Sequence, residues 1–226
     1  MIKRFPKDIL KKAIFVGRIN TFLEVARIGN IKEEIHIHDP GGILLLKPNT
    51  RIIIVRSKSP KRRTRYDLLA FSHNDEWVFS NSKYHSEIFE ITMRKGLTVF
   101  KGEIRKEVEI YGSRIDFLIN STAVEVKGCT WIRNMCCYFP DAPTERGRCH
   151  ISSLIKHKNH ECGDAYVVFL VFHRNAECLR IARGVDPLLY NEAVKAYSFG
   201  VKFLAYKYGF DGSILYFIDK IPAYLD

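Results

Sequence analysis

The amino-acid sequence predicts a mixed α+β protein in two parts, a small β-barrel followed by an α/β domain. The first 80 residues contain a series of short strand patterns and no convincing helical pattern. After residue 80, helical and strand patterns alternate along the chain. A tight hairpin with charged side chains on one face lies in the middle of this second part. We therefore predict a basic barrel domain over residues 1–80 and a second domain over residues 81–226.

The strands of the N-terminal domain are predicted from apolar runs that turn residues separate. Gly29-Asn30 is typical of a tight turn that joins two of these strands into a hairpin. An OB-like barrel is the natural candidate for a basic module of this size, although composition alone fits an SH3-like barrel equally. The predicted strands cover residues 13–19, 21–28, 31–38, 43–46, 51–55, 66–72 and 76–80.

The second domain begins with a helical pattern that ends at Gly96. A later helix has Thr144 near its start, and Asp186-Pro187 is a cap and first-turn pair for another. We assign the two last strands to edges of the sheet. The predicted helices cover residues 83–94, 143–158 and 187–199, and the predicted strands cover 101–111, 114–119, 122–127, 165–172, 201–208 and 213–218.

The predicted hairpin places two carboxylates close together. Counting outward from the Asn120-Ser121 turn puts Asp116 opposite Glu125, with Cβ atoms roughly 5 Å apart. Because side chains alternate along a strand, Lys127 projects from the same face as Glu125. The same count pairs Ile119 with Thr122 and Leu118 with Ala123, and it turns Phe117, Ile119, Val124 and Val126 to the other face.

Two like charges opposite each other are unfavourable, so the pair calls for a divalent cation with oxygen ligands. We predict Mg²⁺ or Mn²⁺ on Asp116 and Glu125. Lys127 would then orient or help deprotonate an activated water, or stabilise charge on a phosphate, which is the chemistry of phosphodiester hydrolysis. The alternative is an ordinary amphipathic hairpin whose charged side chains form a solvated face.

Three motifs resemble a known family. Asp116 followed by Glu125-x-Lys127 on the next strand resembles the core of the PD-(D/E)XK, or restriction-endonuclease-like, nucleases. The segments Ser-Arg-Ile-Asp-Phe (113–117), Glu-Val-Lys-x-x-Thr (125–130) and Tyr-Phe-Pro-Asp-Ala-x-Thr-Glu-Arg-Gly-x-x-His (138–150) are together similar to the sugar fermentation stimulation protein family, SfsA. The resemblance covers most of residues 81–226 and thins upstream, where Asp39-Pro40-Gly41-Gly42 stands in place of the family's Pro-Asn-Thr-Gly-type turn.

The resemblance implies an OB-like first domain and a restriction-endonuclease-like second domain in which Asp116, Glu125 and Lys127 are the catalytic residues. Proteins of this family have been regarded as DNA-binding proteins linked to sugar metabolism genes, so a DNA-binding regulator without cleavage is the first alternative. A hydrolase acting on a small phosphorylated ligand is the second. From the residues themselves, Glu145, Arg146, Glu107 and Glu90 are additional candidates for the site.

The charge distribution favours a polyanionic partner. The 226-residue chain has a formal net charge of +11, and residues 1–75 hold 16 Lys and Arg against 7 Asp and Glu, a net +9. The densest basic run ends in a tyrosine that could stack on a base, and the alternative is a solvated loop. The predicted nucleic-acid contacts are Lys58, Lys61, Arg62, Arg63, Arg65 and Tyr66, with Lys3, Arg4, Lys7, Lys11 and Lys12 as further candidates.

We expect a cytoplasmic protein, because the sequence contains neither a membrane-spanning apolar run nor the apolar segment of a secretory signal. The expected partner is nucleic acid, DNA rather than RNA, and a homodimer is left open. The six cysteines are expected to be free thiols. A zinc site built from Cys149, His150, His157, His160 and Cys162 matches no standard spacing.

Overall fold

The computed structural model describes residues 1–38, 44–57, 62–160 and 163–225. It confirms a mixed α+β fold in which strands predominate. The helices are α1 His85–Arg94, α2 Glu145–His160 and α3 Pro187–Ser198. The strands are β1 Lys3–Arg4, β2 Leu10–Asn20, β3 Leu23–Ile28, β4 Ile31–His36, β5 Arg51–Arg56, β6 Tyr66–His73, β7 Glu76–Phe79, β8 Ile104–Ile110, β9 Ser113–Ile119, β10 Thr122–Cys129, β11 Trp131–Arg133, β12 Cys136–Phe139, β13 Ala165–Val171, β14 Cys178–Ile181, β15 Lys202–Phe210, β16 Ile214–Ile221 and β17 Ala223–Leu225.

Strands β2 to β6 close into the predicted OB-like barrel. Antiparallel pairs join β3 to β2 and β4, and β5 to β2 and β6. A short parallel pairing of β4 with β6 completes the ring. Residues 44–46 were predicted as part of a strand, but they form none, and residue 43 lies outside the described residues. Residues 44–46 lie in a connecting segment, and its Leu46 side chain is buried in the barrel core.

The second part of the chain is built on a sheet with the order β7-β15-β13-β10-β9-β8. Both of its faces are covered. Phe117 and Val124 pack with α1 residues in one apolar cluster, and Leu118 and Ala123 pack with α2 and α3 residues in another. A sheet buried on both faces explains the continuous apolar run in β13. The alternative of a hairpin with a solvated face is therefore wrong.

The assignment of β15 to a sheet edge was also wrong. This strand forms a parallel pair with β13 on one side and an antiparallel pair with β16 on the other, and its Phe210 pairs with Trp77 of β7. It therefore connects the barrel strands to the large sheet that carries the β9–β10 hairpin. A buried polar contact reinforces this junction, because Glu76 of β7 accepts hydrogen bonds from His173 Nδ1 at 2.8 Å and from Arg174 N at 3.0 Å.

A small second sheet, with the order β11-β12-β14-β17, was not predicted. Cys136 and Cys178 are neighbours in its register and form a disulfide, which corrects the expectation that all six cysteines are free. Cys129, Cys137 and Cys149 are free, and Cys162 lies outside the described residues. Because disulfides are uncommon in a reducing cytoplasm, the cellular location stays a prediction.

The helices of the described ranges are all too short or too polar to cross a lipid bilayer.

Candidate active site

A cleft of about 270 Å³ lies beside the β9–β10 hairpin, between α1 and α2. It brings together the three predicted catalytic side chains Asp116, Glu125 and Lys127. The sheet contributes these residues, and the two helices supply the remaining polar groups. The cleft is also lined by polar side chains from the helical segments, among them Ser82, His85, Ser86, Arg146 and His150.

The hairpin has the counted register near its turn. Ile119 pairs with Thr122 and Leu118 pairs with Ala123, and Phe117 and Val124 form the last pair of the ladder. Beyond that pair a side chain bonds to the neighbouring strand in place of a backbone carbonyl. Asp116 Oδ2 accepts a hydrogen bond from Val126 N at 2.8 Å. The carboxylate is thus held at the point where the two strands separate.

Asp116 lies in an unfavourable environment for a negative charge. Its second oxygen, Oδ1, accepts a weak hydrogen bond from Ser86 Oγ at 3.3 Å. Burial raises the pKa of Asp116, and the negative charge of Glu125 raises it further, to about 6. An ionised Asp116 beside an ionised Glu125 would therefore gain from a cation in the cleft.

Glu125 is more buried than an open charged face would allow, with only 2% of its surface exposed. Its Oε1 accepts hydrogen bonds from Lys127 Nζ at 2.6 Å and from His150 Nδ1. Burial alone would raise the pKa of Glu125, but the hydrogen bond from His150 and the charge of Lys127 outweigh it and leave the pKa lowered. Its Oε2 is buried and has no hydrogen-bond partner among the described residues.

His150 and Arg146 lie on one face of α2, four residues apart, and both reach the cleft. Arg146 Nε donates to His150 Nε2 at 3.4 Å. Because that nitrogen accepts, we assign the ring proton to Nδ1, which donates to Glu125. His150 is the last residue of the third sequence motif but was not among the predicted catalytic residues. Its spacing from Arg146 on a predicted helix was the signal that could have placed it in the site.

His85 also lines the cleft and was missed. It is buried in the first turn of α1, stacks on Phe172 and leaves Nε2 without a partner in the described part of the chain. Burial and the charge of Lys127 lower the pKa of His85 to about 3, so the ring is neutral. A Cβ atom at Gly128 would overlap the ring, so only glycine fits opposite it. The spacing of His85 from buried Ile88 and Phe89 was the available sequence signal.

The donor set of the cleft fits a hard divalent cation. Two carboxylates converge on it, and one buried oxygen of Glu125 lacks any partner in the described structure. Across the described residues no three His, Cys, Asp or Glu side chains already surround a common point. Mg²⁺ commonly binds through one or two carboxylates and keeps several waters, so two carboxylates suffice for it.

Comparison with known proteins identifies the family. A family model described as the sugar fermentation stimulation protein RE domain matches residues 83–213, and one described as the SfsA N-terminal OB domain matches residues 16–80. The chain belongs to the SfsA family. A sugar fermentation stimulation protein homolog from Thermotoga neapolitana is 34% identical over 214 residues, which cover 94% of each chain. One from Methanococcoides burtonii is 31% identical over 98% of this chain and 94% of its own.

A solved structure has the same fold. The structure of Pyrococcus furiosus SfsA in complex with Ca²⁺ matches with a TM-score of 0.90 at 23% sequence identity, covering 99% of this chain and 98% of that one. The resemblance stated from the three sequence motifs is thereby confirmed at the level of family and fold.

The remaining acidic candidates of this SfsA-family chain lie away from the cleft. Glu145 lines a separate groove that α2 forms with α3. Glu90 pairs with Arg94 and Lys106 on the surface. Glu107 is exposed, with Arg114 at 3.9 Å. Of the four additional candidates, the structure therefore brings only Arg146 into the cleft.

Acidic side chains partly neutralise the predicted basic run. Arg63 pairs with Glu34 at 2.9 Å, and Arg65 pairs with Glu33 at 3.1 Å. Arg62 pairs with the buried carboxylate of Asp67 at 2.8 Å. Arg63 and Arg65 remain largely exposed, whereas Arg62 is held against the barrel.

Tyr66 does not provide a stacking surface. The ring is buried, and the Lys11 ammonium group lies over it at 5.2 Å. This placement follows from the position of Tyr66 at the first residue of β6, where its side chain enters the barrel core. Lys58 and Lys61 lie outside the described residues.

Proposed function

We propose that this protein is a divalent-metal-dependent phosphodiesterase that cleaves nucleic acid, DNA rather than RNA, in the cleft beside the hairpin. The observation that carries the proposal is the buried Glu125 Oε2, which has no hydrogen-bond partner among the described residues. It lies beside Asp116, and the pKa of Asp116 is raised to about 6. A bound divalent cation would stabilise an ionised Asp116 beside an ionised Glu125.

Two further observations support the proposal. The solved structure of the Pyrococcus furiosus relative contains Ca²⁺, which takes oxygen ligands as Mg²⁺ does. The family description of residues 83–213 as an RE domain agrees with the restriction-endonuclease-like motif Asp116 and Glu125-x-Lys127.

The residues of the cleft have separate tasks in this proposal. A bound Mg²⁺ or Mn²⁺ would supply positive charge that polarises the scissile phosphate. His150 and Lys127 hold Glu125 Oε1, which leaves Oε2 for the cation. Lys127 also supplies an ammonium group that can stabilise charge developing on the phosphate. Arg146 is exposed at the rim, where its guanidinium can contact a phosphate oxygen.

The test is a cleavage assay on labelled single-stranded and double-stranded DNA and RNA, with Mg²⁺, with Mn²⁺ and with EDTA. We expect cleavage that depends on the metal and disappears in Asp116→Ala, Glu125→Gln and Lys127→Ala. Glu90→Gln is the matched control, because Glu90 is a paired carboxylate outside the cleft. A calorimetric Mn²⁺ titration should show weakened binding in Asp116→Ala and Glu125→Gln but not in Glu90→Gln.

The outcomes separate the alternatives. A wild-type protein that binds DNA but cleaves nothing in any metal would favour the DNA-binding regulator. Activity that survives in Lys127→Ala would remove the assigned role of that lysine. Unchanged Mn²⁺ binding in both carboxylate variants would remove the metal site. Cleavage of small phosphate esters without cleavage of nucleic acid would favour the small-ligand hydrolase.

A further inference from the structure

An exposed aromatic side chain projects from the barrel at the turn between β2 and β3. Phe22 is 51% exposed, and its ring lies nearly parallel to that of His36, with an interplanar angle of 21° and centroids 6.3 Å apart. Single exposed apolar side chains are common and carry no meaning alone. A phenyl ring aligned with an imidazole ring on a basic domain is a more specific arrangement.

The backbone beneath Phe22 is fixed on both sides. Phe22 N donates to Asn20 Oδ1 at 3.0 Å, and Phe22 O accepts from Ile37 N at 3.0 Å. His36 pairs with Leu23 in the β3–β4 ladder. The backbone at both positions is therefore fixed before any ligand arrives, which lowers the entropic cost of binding there.

The position of the pair within the barrel suits an oligonucleotide. OB folds bind such ligands on their second and third strands and on the loops that join strands 1–2 and 4–5. In this barrel those loops are the turn that carries Phe22 and the segment between β5 and β6 that carries Arg62. His36 ends the third barrel strand.

Several charged groups lie near His36. Burial lowers the pKa of His36, and the charges of His38, Arg62 and Lys83 lower it further against the opposing charge of Asp67, so His36 presents a neutral aromatic ring. Lys83 is exposed and makes no ion pair with a carboxylate in the described segments. The Lys83 ammonium group is therefore free to pair with a phosphate that flanks a stacked base.

The same surface leads to the cleft. Ser82 Oγ donates to the backbone oxygen of His38 at 2.6 Å, and Ser82 itself lines the cleft that contains Asp116 and Glu125. The end of β4 and the entrance of the cleft are therefore in direct contact, with Lys83 adjacent in sequence to Ser82.

We propose that Phe22 and His36 form a stacking platform for an unpaired base of single-stranded nucleic acid, with Lys83 on the phosphate path from the platform to the cleft. The inference rests on the proposed function for the destination of the strand. Binding to the platform is nevertheless measurable without cleavage, so the two proposals can fail separately.

The test measures the Kd of fluorescent oligothymidylate, oligouridylate and a DNA duplex by anisotropy in EDTA. Phe22→Ala should weaken single-strand binding by roughly 5- to 150-fold, the range for loss of one base–aromatic stack. The slope of log affinity against log salt should not change, because no charge is removed. Duplex affinity should stay within about twofold, because paired bases do not leave their stack. Phe22→Trp should restore single-strand affinity, and its fluorescence should be quenched by the bound strand.

Ile31→Ala is the matched control, because Ile31 is an exposed apolar residue at the opposite end of β4. It should bind all three ligands as the wild type does. Loss of affinity for oligothymidylate, for oligouridylate or for both supports the platform and shows which of the two strands it binds. Single-strand affinity unchanged in Phe22→Ala, or an equal loss in Ile31→Ala, would overturn it. A protein that cleaves nothing yet loses single-strand affinity in Phe22→Ala would retain the platform and lose only the proposed catalysis.

Discussion

The two carboxylates of the cleft differ in how their charge is accommodated. Glu125 receives two strong donors on one oxygen, and its pKa is lowered even though the side chain is buried. Asp116 receives a backbone N–H and a weak hydroxyl contact, and its pKa is raised to about 6 by burial and by the charge of Glu125. Without a cation, an ionised Asp116 therefore destabilises the folded protein.

The first prediction concerns Asp116→Asn in EDTA. The pKa of Asp116 is about 6 in the folded state against an ordinary value of 3.8, so the folded state binds more protons between these values. The wild-type free energy of unfolding therefore falls as pH rises from about 4 to about 6, and the lower stability persists above pH 6. Asparagine has no such proton to lose. We expect Asp116→Asn to be more stable than the wild type by roughly 2–3 kcal/mol at pH 7, with no advantage near pH 4.

Urea unfolding at several pH values measures this difference. Asp75→Asn is the control, because the Asp75 side chain is almost fully exposed and should change stability by less than about 0.5 kcal/mol. With Mn²⁺ present the advantage of Asp116→Asn should shrink, because the cation stabilises the wild type alone. An Asp116→Asn protein that is less stable than the wild type at pH 7 in EDTA would contradict the electrostatic account.

At the scale of elements, α2 is the part that delivers Arg146 and His150 to the cleft, and one carboxylate fixes its start. Asp186 accepts hydrogen bonds from Thr144 N at 2.9 Å, just before α2, and from Leu189 N at 2.9 Å, in the first turn of α3. Thr144 Oγ1 in turn accepts from Gly147 N at 3.0 Å. Asp186 is buried, so it links the two helix starts without competition from water.

The second prediction is that Asp186→Ala lowers the free energy of unfolding by about 2 kcal/mol, because one cap and one connecting hydrogen bond are lost. Thr144→Ala removes a single capping bond and should cost about 1 kcal/mol. Cleavage should fall more in Asp186→Ala than in Thr144→Ala, because the start of α2 then shifts relative to Glu125. Equal stability of Asp186→Ala and the wild type by thermal unfolding would show that the two helices are fixed by apolar packing alone.

Local signals were enough to predict some elements and not others. The hairpin register followed from the Asn120-Ser121 turn, because a tight turn fixes which residues face each other. The second sheet was missed because its strands have only three or four residues and pair across long separations, such as the 42 residues between Cys136 and Cys178. The interior position of β15 was missed for the same reason, since its partners β7 and β13 are distant in sequence.

The site shows the same limit. Asp116, Glu125 and Lys127 were predictable because strand alternation across one hairpin brings them together. His85 enters from a helix on one face of the sheet and His150 from a helix on the other. Helical spacing indicates which face of its helix each histidine lies on, but only the packing of α1 and α2 against the sheet determines that both rings reach one cleft.

At the scale of the whole molecule, the charge excess of the N-terminal part is less available than its count suggests. Glu33 and Glu34 on β4 pair with Arg65 and Arg63, and the Arg62 pair with Asp67 is a structural contact of the barrel. Surface pairs of this kind are worth about 0–1 kcal/mol, so a phosphate can displace the carboxylates from Arg63 and Arg65. Arg62 is expected to stay with Asp67, because removing it would leave the buried carboxylate with one fewer partner.

The third prediction is a change in salt dependence when the two exposed arginines are removed. Each phosphate contact contributes roughly 0.9 to the slope of log affinity against log salt on duplex DNA and roughly 0.7 on a single strand. The double variant Arg63→Ala/Arg65→Ala should therefore flatten the slope by about 1.4 to 1.8 if both side chains contact phosphates, and it should weaken binding to all sequences alike.

The matched variant Glu33→Gln/Glu34→Gln keeps both arginines and removes the carboxylates that compete with phosphates for them, so it should bind nucleic acid more tightly. Cleavage at saturating nucleic acid should survive in both, because the cleft lies elsewhere. An unchanged slope in both variants would move the phosphate path to the groove beside Trp77 that Lys7, Lys11 and Lys12 line, where the same measurement can be repeated.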